Sequence, residues 1–587
     1  MLQQAIHEQW FDGQAQAHAI TCWLNCYLRE FALPRGQVDL DYRGRDCPVG
    51  LAQGGGRLVR FLFAQAGFGL IVRARRISVL GRGEFLGSPY FKSPGEPWRC
   101  ADASALVHFL LDRLAPECGF NDELLAQSGN SLTITRRLLE RAAQAQEIGD
   151  ATLDAEQGML WGHALHPTPK SREGVDIEEV LACSPEARTQ FLLYWFRIDP
   201  RLLQCQGTDV RAVLTKLSGS EHLYPCHPWE VERVLANPLL QQARSQGLIE
   251  PLGPLGEPLS PTSSVRTMYH AQSDYFLKLS IHVRLTNCVR KNAWYELESA
   301  VALTNLLSTA WDDVRNCVPG FDILAEPAAT TLDFGALGGD AAAVRDLGES
   351  FGILYRDNFP ALVRERYRPQ VAGALFACDR HGNSVCRELL QRYARQHSNG
   401  DYARAAETWF KAYAQRLLDG VWLAFFKHGI ALEPHLQNTL IGFDHGLPAR
   451  VWVRDLEGTK LVAEHWPRER MKQFSDRARD SVHYSRELGW KRVGYCALVN
   501  NMAEAMFHLA AGDVALETRL WDTVARIAGD WQHRFGHQPL LQGLIDGAPL
   551  PSKNNLRTRL FKRADRDSDY TELPNPIGLR ITSREAA

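Results

Sequence analysis

Carboxylate and amide side chains that could bind a metal ion and a nucleotide lie close together between residues 433 and 458. Glu433, His435, Gln437 and Asn438 stand in EPHLQN, and Asp455 follows in VRDLEG after a short apolar run. Kinase-type sites present a catalytic loop and a magnesium aspartate in this order. Because Mg²⁺ prefers oxygen ligands, Glu433, Asn438 and Asp455 predict a Mg-ATP site. Taken alone, the segment is equally compatible with a polar loop and a β-turn at RDLEG.

A second candidate site lies where a predicted strand meets a predicted helix. In YFLKLSIHVRLT (275–286) the odd-numbered residues from 277 are apolar and the even-numbered ones from 278 are polar. This alternation predicts a strand with one buried face and one polar face that carries Lys278. We expect Thr286 or Asn287 to N-cap a helix directly afterwards, which places Arg290 and Lys291 in its first turn.

Cations in the first turn of a helix oppose the helix dipole, which is unfavourable for the helix alone. The free N–H groups at that end and the planar guanidinium of Arg290 would, however, suit a carboxylate or phosphate ligand. The alternative is an exposed Arg290 that pairs with Glu296 or with a solvent ion.

The segment PTSSVRT (261–267), just upstream of the strand, offers further groups for an anion. Ser264 and Thr267 supply hydroxyls, Arg266 supplies a guanidinium, and the backbone supplies N–H donors. Alone, the segment is better explained as a Ser/Thr turn.

Histidines and cations are concentrated in GHALHPTPKSREG (162–174), and YPCHPW (224–229) repeats part of the pattern. His163 and His166 are spaced as metal ligands could be, but prolines prevent a regular helix and no third ligand is nearby in sequence. With Lys170 and neighbouring hydroxyls, the segment favours a polyanionic ligand over zinc. A structural proline-rich loop is the alternative.

Common nucleotide and hydrolase motifs are absent from the sequence. It contains no GxxxxGK[ST], HExxH or GxSxG pattern. Gly81, Gly83 and Gly87 have one residue too many for a dinucleotide fingerprint, and we interpret them as a hairpin turn.

The order of helical and strand patterns predicts an α+β protein with several domains. Helical spacing occurs at 14–32, 103–115 and 132–146, and sheet patterns at 57–63 and 69–81. The proline-containing stretch 247–264 predicts a loop. A long helix over 407–429 is expected to end at Gly429 as its C-cap. Composition changes near residue 155 and again at 328–340. We therefore predict domains at 1–155, 156–340 and 341–587, the last mostly helical.

Composition excludes several classes of protein. The 587 residues carry 66 Lys and Arg against 68 Asp and Glu, a formal charge of −2, with 45% hydrophobic residues. This balance fits a globular chain and argues against a nucleic-acid partner. No stretch is long and apolar enough for a membrane span, and no signal peptide is recognised, so we expect a cytoplasmic protein without a membrane partner. The 13 cysteines lack a CxxC pair and are expected to be reduced thiols.

Seven ordered motifs resemble those of the siderophore synthetases that act independently of non-ribosomal peptide synthetases, of the aerobactin-synthetase type. The motifs are GHALHPTPKSREG (162–174), YPCHPW (224–229), PTSSVRTM (261–268), LKLSIHVRLTNCVRKN (277–292), EPHLQN (433–438), VRDLEG (453–458) and SKNNLRTRL (552–560). The resemblance extends over residues 160 to 560. Ala164 and Pro434 depart from the family pattern, where proline and a small residue are usual, and change loop shape rather than functional side chains.

The resemblance implies a cupped-hand architecture of thumb, fingers and palm, with ATP in a cleft between fingers and palm. Thumb, fingers and palm would correspond to the three predicted domains. The implied reaction is adenylation of a polycarboxylate, typically citrate, followed by capture with an amine or alcohol and release of AMP and pyrophosphate.

The resemblance also implies roles for individual residues. The triphosphate would be bound by Ser264, Arg266, Thr267 and Lys278, and the nucleotide and magnesium site would be completed by Gln437, Asn438 and Asp455, with Glu433 as a further metal ligand. The carboxylate substrate would be bound by Thr286, Asn287, Arg290 and His435, together with His163, His166, Lys170 and Lys553. Lys278, Arg290 and His435 are the expected catalytic residues. The number of cations favours free citrate as the acid.

Two other functions use parts of the same pattern. A small-molecule kinase would also need Mg-ATP but would not need carboxylate ligands around Arg290. A siderophore-binding protein without enzymatic activity would not need the set Glu433, Asn438 and Asp455. The partners expected are small-molecule substrates, and a homodimer is left open by the sequence.

Overall fold

The computed structural model describes residues 2–285, 288–564 and 568–577, with backbone only for residues 2–7 and 288. Helices account for 48% of the chain and strands for 20%, so the predicted α+β class is confirmed as a mixture of helix and sheet.

The N-terminal region packs helices against one antiparallel sheet of order β1-β2-β3-β4-β5. Its elements are α1 (Leu2–Tyr27), which continues as a π-helical turn (Leu28–Ala32), β1 (Val38–Asp39), α2 (Val49–Ala52), β2 (Arg57–Leu62), β3 (Gly69–Ile77), β4 (Gly83–Lys92), β5 (Arg99–Cys100), α3 (Ala103–Cys118), α4 (Asp122–Gln144) and α5 (Ala151–Gln157). The predicted helices and strands of this region are confirmed, and Gly81 lies in the β3–β4 hairpin. Leu556 and Leu560, from the far end of the chain, pack into its core.

The middle of the chain contains most of the short strands. Its elements are β6 (Arg172–Glu173), α6 (Ile177–Cys183), β7 (Tyr194–Ile198), β8 (Leu203–Gly207), α7 (Arg211–Ser218), β9 (Leu223–Cys226), α8 (Val231–Leu235), α9 (Pro238–Ser245), β10 (Ile249–Pro254), β11 (Ser260–Pro261), β12 (Thr267–Tyr269), β13 (Tyr275–Leu279), β14 (Arg284–Leu285), β15 (Cys288–Val289), α10 (Trp294–Leu306), α11 (Ser308–Cys317), β16 (Phe321–Ile323), β17 (Ala328–Leu332), α12 (Ala341–Ser350) and β18 (Ile353–Asp357).

A six-stranded sheet of order β11-β12-β13-β18-β17-β8 organises this part of the chain. One face, with Leu277 and Tyr355, packs against the three-stranded sheet β10-β7-β9. On the other face, α10 covers Ala329 and Leu354. Lys278 pairs in register with Leu354, so it lies on the α10 side of the sheet. This face positions the candidate site.

The C-terminal region is largely helical. Its elements are α13 (Ala361–Tyr367), β19 (Gln370–Val371), α14 (Ala372–Leu375), α15 (Val385–His397), α16 (Tyr402–His428), β20 (Ile430–Ala431), β21 (Thr439–Asp444), β22 (Leu447–Val453), β23 (Lys460–Val462), α17 (Asp476–Val482), β24 (His483–Tyr484), α18 (Arg486–Val493), a π-helical segment (Gly494–Met502), α19 (Ala503–Ala510), α20 (Val514–Phe535), α21 (Pro539–Ile545), β25 (Leu550–Lys553), α22 (Leu556–Leu560) and β26 (Tyr570–Leu573). The predicted C-cap is confirmed: Gly429 adopts a left-handed φ of 64°.

Two predictions of local structure are wrong. The stretch 247–264 is not all loop, because Pro251 and Pro254 lie in β10. This strand is at the edge of its sheet, where a proline that lacks an N–H donor is tolerated.

The helix predicted to follow residue 286 starts later. The strand predicted over 275–286 ends at Leu279, and β14 and β15 form a hairpin in place of the first helical turn. Thr286 and Asn287 lie outside the described residues. Helix α10 begins at Trp294 with Ala293 as N-cap, so Arg290 precedes it. The backbone carbonyl of Arg290 accepts a hydrogen bond from Ile281 N–H and so takes no part in a helical turn.

Candidate active site

Lys278 of β13 is the cation at the centre of the candidate site. Its Nζ donates to Asp455 Oδ1 and Glu457 Oε2, both at 2.6 Å. Burial alone would lower the pKa of Lys278, but the two carboxylates outweigh it and the pKa is raised. The same contacts lower the pKa of Asp455 in spite of its burial. Lys278 is therefore held as an ammonium ion between two carboxylates.

A second cation, Arg356 of β18, meets Asp455 from the neighbouring strand. It donates to Asp455 Oδ1 at 2.8 Å and, through two nitrogens, to Glu326 Oε1. The other oxygen of Glu326 accepts from Leu456 N–H at 3.0 Å. Asp455 itself has a left-handed φ of 78°, an uncommon conformation for a residue with a side chain. These bonds anchor the turn that carries the predicted metal aspartate.

The loop at 261–267 is linked to the same turn by a buried ion pair. Arg454 donates through two nitrogens to Glu156, and both side chains are almost fully buried. Glu156 also accepts from the hydroxyl of Ser263 at 2.7 Å. Arg454 donates in addition to Gln437 O at 2.8 Å, and Gln437 Nε2 donates to Ser263 O at 2.8 Å. Glu156 thus links two motif segments directly, and Gln437 joins the third segment to both of them.

Arg266, Ser264 and Thr267 lie beside Lys278, because Thr267 of β12 pairs with it in register. Ser264 Oγ donates to Thr267 Oγ1 at 2.6 Å. Arg266 donates to Arg290 O at 2.8 Å and to the side chain of Asn292. Its guanidinium is also 3.9 Å from Glu457. The four residues predicted to bind the triphosphate are therefore neighbours in space.

Two of the predicted magnesium ligands, Glu433 and Asn438, lie in one loop, and the third, Asp455, follows β22. Glu433 pairs with Arg492 at 2.6 Å and lies directly against Gly458, where a Cβ would be 2.2 Å from Glu433 Oε2. Asn438 is 4% exposed, and its Nδ2 has no hydrogen-bond partner among the described residues. The backbone carbonyl of Asn438 accepts from the backbone N–H of Arg454 at 2.9 Å, and Arg454 is the residue before Asp455. Two carboxylates and a buried amide are oxygen donors of the type that Mg²⁺ prefers, so these residues fit the ion.

No group of three or more His, Cys, Asp or Glu that could hold a metal is found in the described part of the chain. A magnesium site here would accordingly depend on the amide of Asn438 and on phosphate oxygens.

His435 lies in the loop between these ligands. Burial lowers the pKa of His435, although Glu433 and Asp455 act in the opposite direction. Burial, with His166 and His435 as neighbouring groups, lowers the pKa of His163 to about 3. The positive charge of Lys553 also acts to lower the pKa of His435. Both imidazoles are therefore neutral near pH 7. The neutral form leaves a ring nitrogen able to accept a proton.

Lys170 is placed differently from its predicted role as a substrate ligand. Its Nζ donates to Glu186 at 2.6 Å and to Met159 O at 2.8 Å, and Arg172 binds the same carboxylate. All of these charges are buried, and burial acts to lower the pKa of Lys170. Its ammonium is therefore used within an internal ion cluster, and this geometry does not support a contact with substrate. His166 is 5% exposed and accepts Thr168 N–H at Nδ1.

Arg290 is partly exposed beside Arg266, and the described residues show no ion pair for its guanidinium. The alternative pairing with Glu296 is not found, because Glu296 accepts from Tyr295 and from Ala293 N–H. Lys291 pairs with Glu349. Among the described residues, the Arg290 guanidinium is therefore not taken up by an ion pair at the edge of the site.

Residues of the described site that were not predicted include Glu156, Glu326, Arg356, Glu457 and Lys460. Glu457 stands inside the quoted VRDLEG motif, so a signal for it existed. Lys460 Nζ donates to Glu457 O at 3.3 Å, and burial, with the charge of Arg492, lowers its pKa to about 8. Glu156 and Glu326 have no local pattern that distinguishes them from other acidic residues.

Comparisons with known proteins agree with the motifs. Residues 151–377 match the IucA / IucC family, and residues 407–568 match a family described as Ferric iron reductase FhuF-like transporter. Within the described residues, the helices are too short or too polar to cross a bilayer.

Several curated relatives and solved structures are similar over most of the chain. The L-2,3-diaminopropanoate--citrate ligase of Staphylococcus aureus is 27% identical, covering 78% of this chain and 79% of its own. Rhizobactin siderophore biosynthesis protein RhbC of Rhizobium meliloti is 26% identical, and the match covers 94% of this chain and 96% of that protein. The structure of ATP-bound aerobactin synthetase IucA from Klebsiella pneumoniae matches with a TM-score of 0.80 at 22% identity, covering 95% and 99%. The chain thus contains an IucA / IucC family domain, and the resemblance predicted from its motifs is confirmed.

Proposed function

We propose that this protein is an AMP-forming siderophore synthetase that adenylates a carboxylate of citrate, or of a related polycarboxylate, and condenses it with an amine or alcohol. The observation that carries the proposal is the meeting of Lys278, the 261–267 loop and the 454–457 turn on one face of the six-stranded sheet. Relatives named citrate ligases support the reaction class.

Binding of ATP is assigned to the cations on this face. Lys278 and Arg266 would bind the triphosphate, with the hydroxyls of Ser264 and Thr267 as further donors. Since Lys278 is paired with Asp455 and Glu457 in the structure, phosphate oxygens would have to share or replace these contacts. The ATP-bound structural neighbour supports ATP as the nucleotide.

Glu433, Asn438 and Asp455 would hold Mg²⁺, which when bound would draw negative charge toward the leaving pyrophosphate. Lys278 and Arg356 hold the pKa of Asp455 low in spite of its burial, so this carboxylate is ionised and able to act as a ligand. Glu433 is paired with Arg492.

The acid would be bound between Arg290 and His435, with Thr286 and Asn287 as further predicted ligands. In the first step a carboxylate oxygen attacks the α-phosphorus, and the bond to pyrophosphate breaks. In the second step the nucleophile attacks the acyl carbon and AMP leaves, while the nucleophile loses a proton. The neutral imidazole of His435 could accept that proton, because burial lowers its pKa.

The architecture proposed for this function is the cupped hand, with thumb (1–155), fingers (156–340) and palm (341–587). The Arg454–Glu156 pair and the Lys278–Asp455 pair both connect the fingers to the palm, which supports a cleft there. Leu556 and Leu560 connect the end of the palm to the core of the thumb.

The proposed acid is free citrate, since several relatives are named for citrate joined to different amines. The nucleophiles in those names include diaminopropanoate, spermidine and ornithine. Amines of this type are the first nucleophiles to test.

The test is exchange of labelled pyrophosphate into ATP with citrate, 2-oxoglutarate or a citrate monoamide as the acid. We expect exchange that depends on the acid and on magnesium, and formation of AMP once hydroxylamine is added as nucleophile. Asp455→Asn is the inactive control. Formation of ADP would favour the kinase, and absence of exchange with every acid, in folded protein, would reject the adenylation mechanism. Higher kcat/KM for 2-oxoglutarate or the monoamide would reject only citrate.

A further inference from the structure

The loop that carries His435 is held by a π-helical segment, Gly494–Met502, in the C-terminal region. Helical segments of this type are rare and occur often at functional sites. Two adjacent asparagines of the segment, Asn500 and Asn501, are 5% and 0% exposed. Neither was assigned a role by the sequence motifs.

The two asparagines bind the backbone on either side of His435. Asn501 Nδ2 donates to Pro434 O at 2.9 Å, and also to Thr439 Oγ1 at 3.1 Å. Asn500 Oδ1 accepts from Leu436 N–H at 3.0 Å. The residue before His435 and the residue after it are therefore both bound by side chains of the π-helical segment.

Asn500 also connects the loop to the histidine segment, since its amide is 2.7 Å from His163 Nε2. Leu165 N–H donates to His163 Nδ1, so a neutral His163 carries its proton on Nε2. The oxygen of this amide faces Leu436 N–H, and its nitrogen faces His163 Nε2. A carboxylate at this position could accept from both.

Gln437, a predicted nucleotide ligand in the same loop, has separate anchors. Gln437 Nε2 donates to Ser263 O at 2.8 Å, and Gln437 O accepts from Arg454 at 2.8 Å. Loss of an asparagine should therefore displace His435 more than Gln437.

We propose that Asn500 and Asn501 are positioning residues that fix His435 at the carboxylate end of the site. They do so by clamping Pro434 and Leu436, and they act through His435 rather than by touching substrate. The kinetic part of this inference rests on the proposed adenylation of a carboxylic acid.

The first experiment needs no activity. Backbone amide exchange is measured over residues 435–439 in the wild type, Asn500→Leu, Asn501→Leu and Asn500→Asp. We expect faster exchange in both leucine variants, and protection close to wild type in Asn500→Asp, which keeps an acceptor for Leu436 N–H. Tyr402→Phe is the matched control, because it removes one hydrogen bond to Leu509 O in the same region without touching the loop. Unchanged exchange in both leucine variants would overturn the proposal.

The second experiment separates positioning from general damage. In Asn500→Leu we expect kcat/KM for the acid to fall by about 10- to 100-fold, because small displacements of a reacting group are costly, while the KM for ATP changes little. Asn500→Asp should recover most of the activity. Equal losses for acid and ATP, together with a lowered Tm, would indicate a structural role and overturn the proposal. If the wild type adenylates no acid, the proposed function fails, and the amide exchange still decides whether the clamp exists.

Discussion

Replacement of Lys278 by methionine should separate two roles of this lysine. The side chain is 5% exposed and forms two 2.6 Å ion pairs, to Asp455 and Glu457. In Lys278→Met, Asp455 keeps its bond to Arg356, whereas the nearest remaining cation of Glu457 is Arg266 at 3.9 Å. Loss of the lysine charge should therefore leave Glu457, rather than Asp455, without a close ion-pair partner.

The expected loss in free energy of unfolding is about 2–3 kcal/mol, the upper range for one hydrogen bond between charged groups. A larger loss is not expected, because the Glu457 side chain remains 27% exposed. Burial favours the neutral form of Glu457 and Lys278 opposes it, holding the pKa of Glu457 low. The stabilisation from this pair is present above the ordinary pKa of a glutamate and disappears as the pH falls through the lowered value. The difference between wild type and variant should shrink accordingly at acid pH.

The assay is denaturant unfolding at several pH values for the two single variants and the double variant Lys278→Met/Glu457→Gln, together with pyrophosphate exchange. The double variant should recover more than half of the lost stability, because no unpaired carboxylate remains. It should not recover use of ATP, since the cation for the phosphates is still missing. Recovery of normal ATP kinetics in the double variant would show that Lys278 acts only on the carboxylates. An unchanged free energy of unfolding in Lys278→Met would refute the energetic argument.

Three further substitutions test other parts of the site and the fold. Glu156→Gln leaves the buried Arg454 without its counterion and should lower the free energy of unfolding in urea by about 3–5 kcal/mol. The control Glu117→Gln, in the more exposed pair with Arg35, should cost less than about 1 kcal/mol. Equal effects of the two substitutions would contradict the burial argument. Arg290→Lys keeps the positive charge but loses the planar guanidinium that can donate two parallel hydrogen bonds, so kcat/KM for the acid should fall roughly 10- to 150-fold. A change in the KM for ATP alone would reassign Arg290 to phosphate binding. Burial raises the pKa of Glu30 to about 7. The free energy of unfolding of the wild type should therefore fall relative to that of Glu30→Gln as the pH rises from about 4.5 to 7. Parallel profiles of unfolding free energy against pH would contradict this expectation.

Local patterns predicted the elements whose stability depends on neighbours in sequence. The amphipathic segments at 103–115 and 132–146 are helical, and Gly429 caps the long helix, because helical periodicity and a left-handed C-cap are read within a few residues. The same reasoning was wrong at 288–293. There a local N-cap pattern competed with a hairpin whose partner strand, β6, lies more than a hundred residues earlier in the chain.

Prolines illustrate the same limit. Pro251 and Pro254 correctly predict that no helix or central strand forms, but an edge strand has open positions that need no N–H donor. Whether a strand lies at an edge depends on the order of strands in the finished sheet, which the segment itself does not contain.

The sequence by itself determined which residues are candidates for the chemistry, because each motif combines charged, amide and hydroxyl side chains at short separations. Lys278, Arg266, His435, Asn438 and Asp455 were all named in this way. Only the tertiary structure decided how they are held: Lys278 meets Asp455 across 177 residues, and Arg454 meets Glu156 across 298. It also turned Lys170 inward onto Glu186 and brought Asn500 to the loop of His435. Pairings of this kind depend on the packing of helices and sheets and on the need to neutralise buried charge, and neither leaves a periodic signal along the chain.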